Sequence, residues 1–231
     1  MFYGKYKIAD TVVEIYSLYE TVQKMCKDYT SDEESEIVIS IAQNDIDFEK
    51  KNDEVYPDDY LETLAVYRKL AQNLIEKDII LFHSSAVCVG NEAYVFAAKS
   101  GTGKSTHTAL WQKEIENAVI INDDKPLIKI SEKSASVFGT PWNGKHNIGN
   151  NIFCNLKAIC FIERNEENII EEISFKQAYP KIISHTFQPE EEKNIIKLLQ
   201  LIDRLKFCKF YVLKCNQKPE SAHVAYCKMK G

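Results

Sequence analysis

Residues 92–116 read EAYVFAAKSGTGKSTHTALWQKEIE, and their succession of apolar run, glycine loop and helix-forming stretch decides the fold. Glu92–Ala98 has the apolar and aromatic composition of a buried strand. Thr106–Glu116 is expected to be helical. Between them Ala98-Lys99-Ser100-Gly101-Thr102-Gly103-Lys104-Ser105 fits the relaxed phosphate-loop pattern, with alanine in place of the first glycine. Gly101 and Gly103 let the backbone curl so that successive N–H groups face inward as an anion nest. The helix starting near Lys104 adds the positive end of its dipole. Lys104 is spaced to reach the outer phosphates and the Ser105 hydroxyl to join a Mg²⁺ shell; Thr102 and Thr106 border the same loop.

Upstream, Ile79–Val89 reads as a strand, and Gly90–Asn91 marks a tight antiparallel hairpin into Glu92–Ala98. Downstream, the short apolar run Ala118–Asn122 leads directly into Asp123–Asp124. Two carboxylates at the end of a buried strand repel each other and lose hydration unless a cation or proton relieves them. Adjacent strand residues point opposite ways, so the two have different tasks unless the chain turns there. The bland alternative is a solvated turn before Pro126. Leu127–Ile130, Ala135–Phe138, Leu156–Glu163 and Phe210–Leu213 read as further strands. Glu190–Lys206 and Pro219–Lys228 read as helices, and Gly139–Asn151 as a loop suited to act as a lid. In the amino-terminal part, Thr11–Tyr16 and Glu36–Ile41 read as strands around a helix near Tyr19–Lys27. Asp45–Asp59 reads as a polar connector and Tyr60–Lys77 as an amphipathic helix.

With 231 residues, 45% hydrophobic and 27% charged, the chain is expected to fold. Its net charge of −5 gives no support for nucleic-acid binding, although Lys99, Lys104, Lys125, Lys129 and Lys145 gather near the motif. The seven cysteines form no CxxC pair, so neither zinc nor a redox dithiol is signalled; several sit in apolar runs as small hydrophobes. No apolar run approaches the length of a membrane span and the amino terminus lacks a signal-peptide pattern, so the expected compartment is the cytoplasm.

The run FHSSAVCVGNEAYVFAAKSGTGKSTHTALW, followed by IINDDKP and GTPWNGK, resembles the HPr kinase/phosphorylase-like group. That group shares its nucleotide-binding core with ATP-dependent phosphoenolpyruvate carboxykinase. The likeness extends most of all to its small bacterial kinases that phosphorylate a peptide serine. The matching motifs span about residues 81–145, with weaker likeness at Leu156–Arg164 and in CNQKPESAHVAY near the carboxyl terminus. The resemblance implies an α/β protein. Its carboxykinase/HPr kinase-like P-loop core, with a mixed, largely antiparallel sheet, would occupy residues 78–231. Residues 1–77 would form a small N-terminal α/β lobe with its connecting helix.

It further implies that ATP and Mg²⁺ bind through Gly101–Thr106, with Ser105 and one aspartate on the metal and the other aspartate taking the acceptor proton. Asp123 is favoured as base and Asp124 as metal ligand. His83 is expected to steer the acidic pair or else to be a hydrogen-bonded core histidine, and Lys145 to clamp the transferring phosphoryl group. Trp142 either walls the acceptor pocket or anchors its loop. Arg164 contacts phosphate or acceptor, or forms a surface ion pair with nearby glutamates. His107 and Thr106 are read as mostly structural. The chain is shorter than a carboxykinase and has no oxaloacetate-binding constellation, so decarboxylation is not expected; nor is dephosphorylation, since its C-terminal segment is not recognisable here.

The leading expectation is therefore transfer of the γ-phosphoryl group to a hydroxyl, foremost serine, of a peptide or small protein. A small-molecule acceptor such as free serine is the second reading, and a non-catalytic nucleotide-binding regulatory or assembly subunit the third. No nucleic-acid or membrane partner is expected, and a homo-oligomer is left open.

Overall fold

The computed structural model describes residues 1–50, 56–145 and 147–231. The chain opens with a hairpin of β1 (Phe2–Ile8) and β2 (Thr11–Ser17), whose turn residues Ala9 and Asp10 take φ of 50° and 61°. Positive φ at both central residues is the geometry that matches strand twist in a two-residue hairpin. After the short helix α1 (Thr21–Met25), β3 (Ile37–Ser40) pairs in parallel with β2. Helix α2 (Gln43–Glu49) and the long α3 (Asp58–Leu74) pack beside this three-stranded sheet.

The rest builds a nine-stranded mixed sheet. Its strands are β4 (Ile79–Leu81), β5 (Ser85–Val89), β6 (Glu92–Ala97), β7 (Ala118–Asn122), β8 (Leu127–Ile130), β9 (Ala135–Phe138), β10 (Phe153–Arg164), β11 (Ile169–Ile173) and β12 (Lys209–Cys215). The order is β4-β8-β9-β10-β6-β5-β7, with β12 and then β11 branching from β10. The branch arises because Phe153–Asn155 of β10 pairs with β9 while Ala158–Arg164 pairs with β12. Only β6–β10 and β10–β12 pair in parallel; the other pairings of this sheet are antiparallel.

Helices cover both faces. On one lie α4 (Lys104–Glu114) and α7 (Glu220–Met229), where Trp111, Ala222 and Met229 bury Tyr94 and Phe96. On the other lie α5 (Phe175–His185) and α6 (Glu192–Arg204), where Ile182, Leu198 and Leu201 pack with Val95 and Ala97. A strand buried on both sides reads as a continuous apolar run, which is why AYVFAA lacks alternation. A third buried cluster runs from Tyr6 and Ile15 through Leu61 and Leu70 of α3 to Leu127, Phe138 and Trp142.

Several sequence readings change. Ile79–Val89 is not one strand. It divides at Phe82–Ser84, where His83 N–H donates to His185 O at 2.7 Å and Ser84 N–H to Asp124 O at 3.0 Å. Part of the expected connector 45–59 is helix α2, whose first turn is closed by Asp45 accepting from Ala42 N–H at 2.9 Å; residues 51–55 lie outside the described residues. Strands β1 and β11 and helix α5 add to the elements legible in the sequence. Helix α5 contains Pro180, which removes a backbone donor, but Ser174 and Gln177 close its N-terminus as a capping box. Cys88 and Cys154 form a disulfide, whereas Cys26, Cys160, Cys208 and Cys215 are buried free thiols. Among the described residues no helix is long and apolar enough to cross a membrane.

Candidate active site

The three mutually parallel strands β6, β10 and β12 point the same way, so their carboxyl ends lie side by side. From them come the glycine loop, Arg164–Asn165 and Asn216–Gln217 respectively. Crevices beyond the carboxyl ends of parallel strands are where α/β sheets hold ligands. In the loop, Gly101 and Gly103 take φ of 75° and 120°, which side-chain-bearing residues adopt only under strain. Helix α4 then begins at Lys104 with no side-chain cap, leaving the amides of its first turn free for an anion.

A cavity of about 420 Å³ is lined by Gly101, Gly103, Lys104, Ser105 and Thr106 from this loop, by Asp123 and Asp124, and by His83, Lys145, Arg164 and Gln217. The acidic pair faces the cavity because the chain turns after β7. The Asn122 carboxamide oxygen accepts from Asp124 N–H at 2.8 Å and from Lys125 N–H at 2.6 Å. Its nitrogen, with two N–H groups, shares them among Thr140 O and Oγ1, Trp142 O and Asn143 Oδ1, all within 3.3 Å. Asn122 thus ties the acidic turn to the loop that follows β9. The motifs do not single out Asn122, although an asparagine opening a turn is a readable signal. The Ser85 hydroxyl, donating to Asp123 O at 2.6 Å, secures the same turn from β5.

The two carboxylates sit in different surroundings. Asp123 is 2% exposed; its Oδ1 accepts from Gly144 N–H at 2.6 Å, and its Oδ2 has no partner among the described residues. Burial, reinforced by the charge of Asp124, raises its pKa against the opposing Gly144 bond. An added Cβ on Gly144 would stand 3.1 Å from Asp123 Oδ2, a close contact that glycine avoids. Burial also acts to raise the pKa of Asp124. Hydrogen bonding from His83 and the charge of Lys125 outweigh it and hold the carboxyl at about 2. His83 Nε2 lies 3.2 Å from Asp124 Oδ1, and Lys125 Nζ 3.2 Å from Oδ2. Lys104 Nζ stands 3.3 Å from both His83 Nε2 and Ala98 O, and burial lowers its pKa.

Of the other sequence candidates, Lys145 is exposed at the cavity rim. Thr106 is exposed in the first turn of α4 and Thr102 closes the loop by donating to Lys99 O at 3.1 Å. Arg164 lines the same cavity, and its guanidinium donates to Gly101 O and, at 3.1 Å, to Thr102 O, bracing the loop from β10. Trp142 is the anchor of its loop. It is buried, donates to Thr63 O at 2.7 Å and stacks on Tyr67 at 4.4 Å, while Tyr67 donates to Lys125 O at 2.6 Å. Helix α3 therefore supports the acidic turn. His107 is buried, accepts from Trp111 Nε1 at 3.0 Å and packs on Phe96, as its structural reading expects.

No family model matches this chain, and no curated protein matches it. Among solved structures it is similar to the Hpr(Ser) kinase/phosphatase from Coxiella burnetii, at 8% identity and a TM-score of 0.36, over 65% of this chain and 99% of that one. At that identity and TM-score the likeness decides neither activity nor site residues.

Proposed function

We propose that this chain is an ATP- and Mg²⁺-dependent kinase that phosphorylates a hydroxyl, foremost serine, of a peptide or small protein. The observation that carries the reading is the convergence of the glycine loop, the uncapped start of α4, Lys104, Ser105 and both aspartates on one cavity. The reading takes residues 78–231 as a P-loop kinase domain of HPr kinase-like type and residues 1–77 as its accessory lobe. The loop amides and Lys104 hold the polyphosphate, and Lys145 closes over the group in transfer.

The donor set fits a hard cation: an ionised Asp124 and the Ser105 hydroxyl line one cavity, while Asp123 Oδ2, which has no partner among the described residues, is left to take a proton. Ser105 and Asp124 would hold Mg²⁺, which would offset the charge of the phosphates. The acceptor oxygen forms its bond to the γ-phosphorus as the bond from that phosphorus to the bridging oxygen breaks. ADP leaves with the bonding pair, and the hydroxyl proton passes to the Asp123 carboxylate. His83 keeps Asp124 oriented and ionised.

Incubation with γ-labelled ATP and a panel of peptides, small proteins and free serine tests the reading. Removing a positioned base by Asp123→Asn is expected to slow transfer by about 10²-fold or more. Undiminished transfer in that variant removes Asp123 from the role of base, and a wild-type chain that binds ATP but labels no acceptor supports a non-catalytic subunit instead.

A further inference from the structure

His83 lines the phosphate cavity and two further cavities, which meet at His83, Ser184 and His185, the residues common to both. The first, about 780 Å³, runs over the carboxyl ends of β6 and β10, with Lys99 and Lys181 on its walls and Phe161 among its apolar residues. Among the described residues Glu163 is its only carboxylate, and it already faces Lys181 at 3.4 Å, while Lys181 Nζ rests 5.7 Å above the Phe161 ring. Arg164 adds another positive charge at the same wall. Consistent with a positive field, His185 is held neutral, with a pKa of about 4, by burial and by the charges of His83, Lys104 and Lys181. The second cavity, about 330 Å³, is the more apolar, and of its charged lining residues Lys125 is taken up by Asp124 at 3.2 Å. Phe48, Leu64, Leu81 and Phe187 form its walls, and the Arg68 guanidinium at its edge is occupied by Glu49 at 2.6 Å and the Phe48 ring at 4.3 Å.

We propose that these two cavities form one acceptor groove for an extended peptide segment, with the phosphorylated hydroxyl at His83, an acidic residue on one flank against Lys99 and Lys181, and a bulky apolar residue on the other against Phe48, Leu64 and Phe187. The proposal rests on the kinase reading and narrows its substrate class. Each half is as large as a small-molecule site, so a free amino acid seated at His83 would leave both flanks unfilled. The cationic half complements a carboxylate, and the exposed Phe48 offers apolar surface that a side chain of the peptide would cover. At the junction, His83 opens into the cavity that holds Asp123 and Asp124, so a hydroxyl carried there meets the carboxylates.

The test is a peptide library with one central serine and each flanking position varied, labelled from γ-labelled ATP by the wild type, Lys181→Glu and Phe187→Ser. The wild type is expected to select Asp or Glu on one flank and Leu or Phe on the other. Lys181→Glu is expected to raise KM for the acid-flanked peptide about five- to tenfold, leave kcat at saturation unchanged and shift selection on that flank to Lys or Arg. Phe187→Ser is expected to lose the apolar preference and keep the acidic one. A flat wild-type profile, selection unaltered by Lys181→Glu, or labelling of free serine but of no peptide overturns the groove and leaves the kinase standing. If a fluorescent ATP analogue with Mg²⁺ does not bind the wild type, the kinase reading itself falls, and the groove with it.

Discussion

At the scale of single residues, environment rather than identity separates the functions of like side chains. His83 and His107 are both histidines close to the glycine loop. One bridges Asp124 and Lys104 at a cavity, while the other is locked between Trp111 and Phe96. Burial lowers the His107 pKa from 6.5 to about 4. Between those values the unfolded chain binds a proton that the folded chain refuses, so the contribution to stability is full above pH 6.5 and is lost as pH falls towards 4. The loss amounts to on the order of 3 kcal/mol. His107→Gln keeps an acceptor for Trp111 Nε1–H without titrating. Chemical denaturation at pH 7 and pH 4.5 should show a smaller acid-induced loss in this variant; equal losses would mean that His107 is protonated in the fold. The motif placed His107 beside the loop, and only packing says that it is inert.

At the scale of elements, the loop is held at its two ends by different devices. The glycines and α4 follow from local sequence, but Arg164 reaches the carbonyls of Gly101 and Thr102 from β10, more than sixty positions away in the chain. Replacing Arg164 with Met keeps an unbranched stem and removes the two bonds. Titration calorimetry should then show ATP–Mg²⁺ binding weakened about three- to tenfold, and an unchanged Kd would show that the loop needs no brace. The division of 79–89 into β4 and β5 is another element-level outcome. Both pieces are apolar enough to read as one strand, but they pair with different neighbours, β8 for one and β6 and β7 for the other. The step between them delivers His83 to the acidic turn. Nothing in IILFHSSAVCV marks it, because pairing partners are set by strands far along the chain.

At the scale of the whole molecule, the amino-terminal sheet, α3 and one edge of the large sheet share a buried core, so the acidic turn is supported by the amino-terminal part of the chain as well as by the large sheet. The disulfide between Cys88 and Cys154 closes a sequence separation of 66 residues. Cross-links of that reach typically contribute about 2–4 kcal/mol by restricting the unfolded chain. Alkylation of the denatured, unreduced protein should label five cysteines. Reduction should then lower the urea midpoint, and seven labelled cysteines before reduction would show the bond absent. Spacing alone could not have paired these two, since neither sits in a recognisable motif.

Local sequence was enough for the strand–loop–helix unit, the Gly90–Asn91 hairpin, the short strands Ala118–Asn122, Leu127–Ile130 and Ala135–Phe138, and several of the charged groups that line the cavity at the loop. Those features rest on interactions between near neighbours: hydrophobic patterning, glycine backbone freedom and the start of a helix. The turn that aims both aspartates the same way, the brace from Arg164, the anchoring of Trp142 on α3 and the groove through His83 came only with tertiary structure. Each depends on groups brought together across long stretches of chain, where the deciding quantities are distance and burial, and neither is written in the order of residues.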